Sequence, residues 1–530
     1  MRTLLFGLAV ILTFQAAAQN SFPYAIALNP VVVPQLPGIH SFVWAQHEGK
    51  WLIAGGRLDG LHPRQPWASF PASANNQSLI VIDPVNQQFW TRSLSELPVG
   101  IQEQLQSTNL NFHQLDDTLY IAGGYAYAAS VDDHITHPAL TSIQVSNTIN
   151  AIINNQPITG FFDQLVDNQF AVTGGQMAFM NGKFYLVGGQ RFDGRYNPMG
   201  NPTYEQTYTN AVRSFELQNS PDLAFSNYSE IMDEVHLHRR DYNLLPFVFE
   251  DGEEGFLISS GVFQVDADLP YLYPVEIRSD GHLPRTEFNQ YLSNYHSAHA
   301  ELFDAEDNEM HAILFGGMSQ YYYSDDQLIQ DDQVPFVRTI SRLTRHADGS
   351  LEEFLMPIEM PALKGASAEF IPNPELSRTA NGVFLLNELT SDSALIGHIV
   401  GGIQSTSLNP FSDNQLGNTS ADAIIYEVWL HQSVVNNATA ISAKNPLNMI
   451  VYPNPAKRTF TAEFALPEGG EVYYYITNPT GKVIQKGTWN LGAGKHNQFI
   501  TLPENTASGT YSLTVSLNGV WFTTRQVIIE

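Results

Sequence analysis

The sequence predicts an all-β protein in which six similar four-stranded units are followed by a smaller β domain. The first observation is an apolar run that recurs six times and ends in two glycines, degraded once to Ser260-Gly261, with its last residue at Gly56, Gly124, Gly189, Gly261, Gly317 and Gly402. The second is the absence of sustained helical periodicity between Asn20 and Leu430. The third is a run of short alternating strands separated by turn residues over the last 80 or so residues.

The strands of one unit surround its glycine pair. The third copy reads "QMAFMNGKFYLVGG", in which Asn181-Gly182 separates two apolar runs and predicts a hairpin. A third strand follows the pairs after a polar interval, as in "SLIVIDP", and in several copies a fourth follows a short turn, as in "QQFWTRSL". The runs before the glycines are continuous because sheets packed on both faces bury both sides of a strand. Six such sheets arranged radially predict a six-bladed β-propeller, which protects the strand edges.

Closure of the ring requires a further strand. The sixth unit ends at "AIIYEVWL" with no convincing fourth strand, and "FPYAIAL" (residues 22–28) near the N-terminus is the predicted replacement. The alternative is that these residues form a loose leader. The long interval between Gly317 and Gly402 also leaves room for a seventh unit.

The repeated unit resembles the kelch repeat. In that family a hydrophobic run precedes Gly-Gly and an aromatic residue lies further on, here Trp90 and Tyr228. The resemblance covers residues 22–432 and implies a kelch-like β-propeller. It implies little about activity, because kelch propellers include both enzymes and binding modules.

The two ends of the chain indicate export. Residues 1–19 combine a basic start, an apolar stretch and a small-residue cleavage site, which is typical of a secretory signal peptide; a membrane anchor would need a longer run. No other segment is long and apolar enough to predict a transmembrane helix. The predicted domains are the propeller at 20–433, a polar linker at 434–448 and a small β-sandwich at 449–530.

The C-terminal 80 residues resemble the type A sorting domain of the bacterial type IX secretion system. The matching positions are Tyr452, Pro453, Asn454, Pro455, Gly509, Tyr511 and Arg525. The resemblance implies a member of the Bacteroidota, passage through the periplasm, contact with the type IX secretion machinery, and a secreted or outer-membrane-surface location. In the family this domain is typically cleaved. The alternative is an adhesive β-sandwich module.

Composition excludes several kinds of function. The formal net charge of −28 argues against binding to nucleic acid or to an anionic membrane, since both need basic patches. The chain has no cysteine, which excludes disulfides, cysteine-ligated zinc and thiol nucleophiles. It also excludes the copper site of galactose-oxidase-like propellers, which depends on a Tyr–Cys crosslink.

The two ends of the predicted propeller differ in their loops. The turns that join first to second strands and third to fourth strands are mostly tight, apart from the connection after Ile371. The loops that follow the glycine pairs are long and rich in Tyr, Trp, Asn and Gln, which suit sugar rings or extended peptides. The alternative is that they are ordinary surface loops.

Polar residues at the starts of the innermost strands are expected to surround the central channel on the long-loop side. The predicted ligand-binding residues are His40, Asn109, Asn111, Gln176, Arg240, Tyr242, His296 and Lys364. The catalytic candidates are Arg239, Arg240, Asp241, His296 and His299, which could clamp a carboxylate or act as acid and base. The alternative is that these groups bond only to one another and to neighbouring sheets.

No cofactor is predicted, and calcium is the one metal with candidate ligands. Asp325, Asp326, Asp331 and Asp332 offer oxygen ligands, but their spacing matches no EF-hand, and a solvated acidic loop is the competing interpretation. His296 and His299 would point to opposite faces of one strand, so joint zinc ligation requires the strand to begin after His296.

Three functions are compatible with these observations. The leading hypothesis is a secreted or surface-displayed propeller that binds a glycan or protein through the long-loop face. The second is a carbohydrate-active enzyme, epimerase-like or lyase-like, with an Arg/His-lined central pocket. The third is a structural or adhesion component of the cell envelope. No nucleophile elbow, zinc-protease motif or phosphate loop points to an enzyme.

Overall fold

The fold is known from a computed structural model that describes residues 22–65, 67–199, 203–219, 222–433, 438–441 and 445–530. These residues are mostly β-strand. The predicted signal peptide lies outside the described residues, as do parts of the predicted linker.

Six sheets, each built on four antiparallel strands, form the framework of the region before the linker. Sheets 1 to 3 consist of His40–His47, Lys50–Arg57, Ser78–Asp83 and Gln88–Ser93; of Asn111–Leu115, Thr118–Ala122, Ala139–Gln144 and Phe162–Val166; and of Gln176–Met180, Lys183–Val187, Ala211–Gln218 and Ala224–Met232. Sheets 4 to 6 consist of Asn243–Val248, Glu254–Ser259, Val275–Arg278 and Gly281–Pro284; of His299–Asp304, Glu309–Phe315, Thr339–Arg345 and Leu351–Glu359; and of Glu369–Pro372, Ser393–Val400, Ile425–Gln432 and Tyr24–Val31.

The N-terminal strand completes sheet 6, which confirms the predicted pairing. Tyr24–Val31 runs antiparallel to Ile425–Gln432, from Tyr24 opposite Gln432 to Val31 opposite Ile425. The first and last strands of this region therefore lie side by side in one sheet.

Hydrophobic clusters join each sheet to the next and sheet 6 to sheet 1, so the six sheets form a closed circle. Each cluster contains buried side chains from two sheets; representative pairs, from sheets 1 and 2 round to sheets 6 and 1, are Leu52 and Ile121, Tyr120 and Phe184, Val187 and Phe256, Phe247 and Ala312, Ile313 and Ile399, and Ile371 and Ile53. Burial of both faces of each sheet explains the continuous apolar runs.

The glycine pairs lie where each sheet touches the next. The amide of the second glycine of each pair donates a hydrogen bond of 2.8–3.1 Å to a backbone carbonyl at the entry of the following sheet. The donor and acceptor pairs are Gly56 to Ser107, Gly124 to Val172, Gly189 to Arg239, Gly261 to Asn294, Gly317 to Lys364 and Gly402 to Ile39. Both residues of every pair have positive φ, including Ser260 in the degraded fourth copy. Glycine adopts this backbone without steric cost and allows the close approach.

The loops after the glycine pairs carry their own small sheets. Three are hairpins, Tyr125–Ala128 with Asp133–Thr136, Gln190–Gly194 with Tyr204–Tyr208, and Tyr321–Ser324 with Gln327–Gln330. A three-stranded sheet joins Leu363–Ala366, Ile403–Ser405 and Thr419–Ala421. The short strands Phe384–Leu385 and Thr439–Ile441 extend sheet 5, the latter from within the predicted linker.

Short helices interrupt the β structure at points that the sequence did not predict. Helix α1 spans Val99–Leu105 and helix α2 spans Val145–Ile153, which joins the third and fourth strands of sheet 2. That connection is therefore not a tight turn, because α2 buries Ile149 and Ile152 against the core of sheets 1 and 2. The 3₁₀ helices are Ala72–Ala74, Leu94–Glu96, Thr159–Phe161, Asn168–Phe170, Leu386–Glu388 and Leu416–Asn418.

The C-terminal region contains two antiparallel sheets around one core. Met449–Tyr452, Thr459–Leu466 and Gly494–Thr501 form the first; Gly470–Thr477, Val483–Leu491, Gly509–Leu517 and Trp521–Ile529 form the second. Phe460, Phe464, Ile476, Leu513 and Val527 are buried between them. The outer face of the second sheet packs on sheet 4, where Phe522 lies against Tyr271 and Tyr273.

Candidate functional site

A closed ring of six backbone hydrogen bonds surrounds the central axis. Each sheet contributes one residue at the entry to its first strand, and each amide donates to the carbonyl of the neighbouring sheet at 2.8–3.3 Å. The donor and acceptor pairs are Ser41 to Ser367, Ser367 to His296, His296 to Asp241, Asp241 to Gly174, Gly174 to Asn109 and Asn109 to Ser41. Six points about 4.8 Å apart lie on a circle of about 4.8 Å radius. The ring lies at the entries to the first strands, between the long loops that follow the glycine pairs and the strands that lead to the tight turns.

Two histidine–carboxylate pairs lie next to the ring. His296 Nε2 lies 3.3 Å from Glu369 Oε1, and His299 Nδ1 lies 2.5 Å from Glu301 Oε1. Burial lowers the pKa of His296 to about 3 and raises the pKa of Glu369 to about 8, so both groups are neutral between these values. Burial opposes protonation of His299, but the Glu301 carboxylate outweighs it and raises the pKa. The cavity beside His296 and Glu369 measures about 20 Å³, room for a water molecule but not for a sugar ring.

Arg240 lies on the long-loop side of the ring. Its Nη1 donates to Asp241 Oδ2 at 2.6 Å, its Nε donates to the Tyr208 hydroxyl at 3.1 Å, and its guanidinium carbon lies 5.0 Å from the centre of the Phe263 ring. The side chains of Arg240 and Asp241 keep 21% and 17% of their surface exposed. Among the described residues, Nη2 of Arg240 has no hydrogen-bond partner. This guanidinium is therefore held in place with one edge available.

The loops of sheets 1, 2, 3 and 6 meet above this position. The His62 ring stacks on Phe70 at 4.4 Å and meets the edges of Tyr196 and Phe411 at 4.8 and 5.5 Å. His134 Nε2 lies 2.8 Å from the Phe70 carbonyl oxygen, and this contact joins the loop of sheet 2 to the loop of sheet 1. Burial lowers the pKa of His62 to about 4, so the ring is neutral at pH 7. The four loops form an interlocked aromatic layer, and they are not independent surface segments.

Large apolar side chains protrude from these loops. Trp67 is 76% exposed and Met199 is 62% exposed, and the two loops that carry them are joined by a 2.7 Å hydrogen bond from the Ser69 hydroxyl to the Tyr196 carbonyl. An exposed indole on an ordered loop is a flat surface on which a sugar or peptide can pack.

Three of the predicted site residues are buried between sheets. Arg239 has no exposed surface; its guanidinium donates to the carbonyls of His236, Ser260 and Tyr273 at 2.6–2.9 Å and lies over the rings of Tyr271 and Tyr273. Tyr242 donates to the Val187 carbonyl at 2.5 Å, and Asn111 donates to the carbonyls of Ala122 and Val172. Their contacts hold adjacent sheets together.

The remaining predicted residues lie around the ring. Asn109 Nδ2 donates to Asp241 Oδ1 at 3.2 Å, and Gln176 lines the cavity under the ring. His40 is buried with Nδ1 3.0 Å from the Ser41 hydroxyl. Lys364 is buried in an ion pair with Asp422 and donates to the Tyr426 hydroxyl. The structure thus brings together Asn109, Arg240 and Asp241, whereas His296 and His299 pair with Glu369 and Glu301.

The acidic candidates do not converge. Asp325 and Asp326 form a turn between two strands, whereas Asp331 accepts from Asn409 and Asp332 accepts from Gln320 and Gln330. The strand that carries His299 begins at that residue, so strand alternation does not separate it from His296. Within the described part of the chain, no group of three or more His, Asp or Glu side chains is placed to hold a metal ion.

Residues beside Arg240 were missed in the sequence analysis. Tyr208, Phe263, Tyr196 and His62 lie in three different loops, and Tyr295 directly precedes the ring residue His296. The aromatic content of the loops was the signal that pointed to them, but pairing loops across the ring needs coordinates.

The predicted sorting motif lies along the last strand. Asn454 accepts a hydrogen bond from the Ile528 amide and donates one to the Gln526 carbonyl, both at 2.9 Å. Tyr452 ends the edge strand of the three-stranded sheet, and Pro453 and Pro455 come after that strand. Gly509 pairs with Ile529, Tyr511 is buried and donates to the Ala507 carbonyl, and Arg525 donates to Asn448.

Residues 450–530 match the family described as secretion system C-terminal sorting domain. The protein is secreted or displayed on the cell surface. The sorting domain implies interaction with the type IX secretion machinery. In the described residues, no helix has the length and apolar character needed to cross a membrane.

Two solved structures are distantly similar to this chain. The structure of YjhT matches 77% of this chain and 99% of its own, with 12% identity and a TM-score of 0.43. PorZ, a bacterial surface component of the type IX secretion system of Porphyromonas gingivalis, matches 93% of this chain and 60% of its own, with 10% identity and a TM-score of 0.22. At these TM-scores neither similarity supports a conclusion. No curated protein matches the chain.

Proposed function

We propose that the region before the linker is a six-bladed kelch-like β-propeller and that the sorting domain is a β-sandwich. The proposal is supported by the six four-stranded sheets, the circle of clusters between them and the ring of backbone hydrogen bonds. The shared core of the two C-terminal sheets supports the sandwich.

We propose further that the exported protein binds a glycan or protein ligand through the long-loop face. The observation that carries this proposal is the placement of Arg240, whose Nη2 faces the loop side of the ring without a partner among the described residues. Tyr208 and Asp241 fix the other two nitrogens, so little side-chain entropy would be lost on binding.

The chemistry of the surroundings favours a ligand that carries an acidic group beside a flat ring. A guanidinium binds carboxylates through short charge-assisted hydrogen bonds, and the nearby rings of Phe263 and Tyr208 offer apolar faces. The exposed Trp67 extends the apolar surface at the edge of the same face. An acidic glycan fits this combination better than a neutral one.

The test is a glycan array probed with the full chain, alongside Arg240→Ala and the matched control Arg191→Ala. Arg191 is an arginine in the same set of loops whose ion pair with Asp193 is largely exposed. We expect wild type and Arg191→Ala to share a set of acidic glycans that Arg240→Ala fails to bind. Equal binding by all three chains, or binding to none of the glycans, would contradict the proposal and favour a structural role in the envelope.

The proposed function is ligand binding and does not include catalysis. The acid–base candidates His296 and His299 pair with Glu369 and Glu301, and the cavity that His296 and Asp241 both line measures about 20 Å³, too small for a sugar. The enzyme hypothesis therefore has no specific geometry in its favour.

A further inference from the structure

The sorting domain is packed tightly against sheet 4. Thr514, Ser516 and Phe522 project from the outer face of its four-stranded sheet and are almost completely buried there. Phe522 lies 4.9 Å from the ring centre of Tyr273, and the Thr514 hydroxyl lies 3.3 Å from His236 Nε2. The Val483 amide donates to Glu234 Oε2 at 2.7 Å, and Asn289 donates to the Val520 carbonyl at 3.1 Å. This contact is a specific interface with a polar and an apolar part.

The same interface reaches the loop that follows the fourth glycine pair. Gln264 Nε2 donates to the Gly519 carbonyl at 2.6 Å, and Lys486 Nζ lies 2.7 Å from Asp266 Oδ1. The segment 262–270 is thus held from outside by the sorting domain. We call it the sheet 4 loop.

The inner side of the sheet 4 loop covers Arg240. Phe263, one residue before Gln264, places its ring 5.0 Å from the guanidinium carbon, and its amide donates to the Tyr208 hydroxyl at 3.4 Å. The loops of sheets 1, 2, 3 and 6 are already locked to one another by the His62 layer. The sheet 4 loop is the covering segment that contacts the sorting domain, and Val262 at its start pairs with Arg240 through two backbone hydrogen bonds of 2.7 and 3.0 Å.

We propose that the docked sorting domain restricts access to Arg240 by clamping the sheet 4 loop, and that undocking opens the site. The link runs from Gly519 and Lys486 through Gln264 and Asp266 to Phe263. The inference rests on the proposed function only for the identity of the ligand that enters the site. It gives the sorting domain a second role, as a latch on the long-loop face.

The test uses the full chain and measures undocking and access separately. Phe522→Glu places a charge in the interface while leaving the core of the sorting domain intact, since Phe522 faces away from that core. Thr514→Arg is a second variant of the same kind. Phe499→Glu is the matched control, because Phe499 is an exposed aromatic on the other sheet of the same domain. Hydrogen exchange at the Val483 amide reports undocking.

Access is measured by modification of Arg240 with phenylglyoxal, located by mass spectrometry, with the exposed Arg191 as internal reference. We expect Arg240 to react at least about tenfold faster in Phe522→Glu and Thr514→Arg than in wild type and Phe499→Glu. An exposed Val483 amide with an unchanged Arg240 rate would overturn the proposal. Because the reagent needs no glycan, faster labelling in a chain that binds no glycan would reject the proposed function alone.

Discussion

The amide of Gly189 donates a 2.8 Å hydrogen bond to the carbonyl of Arg239 across the boundary between sheets 3 and 4. The same bond occurs at the other five boundaries, always from the second glycine of a pair. The repeated Gly-Gly motif therefore makes a backbone contact between adjacent sheets. It is not a ligand-binding loop.

Gly123→Ala is expected to destabilise the protein strongly. A Cβ at this position would lie 1.8 Å from the Val172 carbonyl oxygen, and φ is +68°. We expect a loss of at least about 3 kcal/mol in the free energy of unfolding, from the left-handed backbone and the clash together. Urea denaturation measures it.

Gly160→Ala is the matched control for Gly123→Ala, since a Cβ added at Gly160 would meet no atom within 4 Å. Its stability should stay within about 0.5 kcal/mol of wild type. Equal losses in the two variants would mean that close approach between sheets is not the reason for the glycine.

Phe22→Ala is expected to weaken closure of the ring of sheets. Phe22 has no exposed surface, and its ring lies 4.8 Å from the Arg342 guanidinium carbon and 5.1 Å from the His311 ring centre. Removal of a buried phenyl ring costs about 3–5 kcal/mol. The thermal midpoint should fall in a single transition, whereas Val32→Ala, at an exposed position, should leave it unchanged. A separate early transition would show that the N-terminal strand is not part of the cooperative unit.

Adjacent arginines are expected to give opposite phenotypes. Arg239→Lys loses a planar group that reaches three carbonyls in sheet 4 and the segments beside its strands, so stability should fall by about 2–4 kcal/mol while the folded fraction binds ligand normally. Arg240→Lys should retain stability and lose affinity. Denaturation curves and binding isotherms on the same samples separate the two effects, and a shared phenotype would contradict the assignment of one residue to structure and the other to binding.

Acid is expected to destabilise the protein through buried histidines. Burial lowers the pKa of His113 to about 4, against about 6.5 for an unfolded histidine. Its contribution is fully present above pH 6.5 and is lost as the pH falls toward 4, because the unfolded state takes up the proton first. The loss attributable to His113 is up to about 3 kcal/mol.

Denaturation curves from pH 7 to pH 4 test this on wild type and His113→Leu. The variant should lose less stability over this range than wild type does. His47→Leu, at a more exposed position, is the control and should follow wild type. A variant with the wild-type pH slope would show that His113 does not stay neutral in the folded state.

Much of the fold could be predicted from sequence because its repeat depends on local signals. The glycine pairs, the turn residues and the apolar runs identify six repeated units, and the missing strand of the sixth pointed to residues 22–28. Helix α2 was missed because nine residues give too short a periodic signal to stand out.

The site was harder to predict because it depends on contacts between distant segments. Arg239 and Arg240 are neighbours in sequence, and only the arrangement of sheets decides that one is buried and the other faces the loops. Thr514 and Ser516 alternate with apolar residues, as solvent-facing positions on a sheet do, yet sheet 4 covers them. No local pattern distinguishes a surface exposed to water from one covered by another domain.

The pairing of Tyr24 with Gln432 also imposes an order in time. Sheet 6 needs one strand from the beginning of the region and three from its end, so a chain that emerges N-terminus first must wait for its last strand before the circle can close. Until then the apolar faces of sheets 1 and 5 that sheet 6 covers stay uncovered. A chain crossing a membrane in stages would be most exposed to aggregation and proteolysis during that interval.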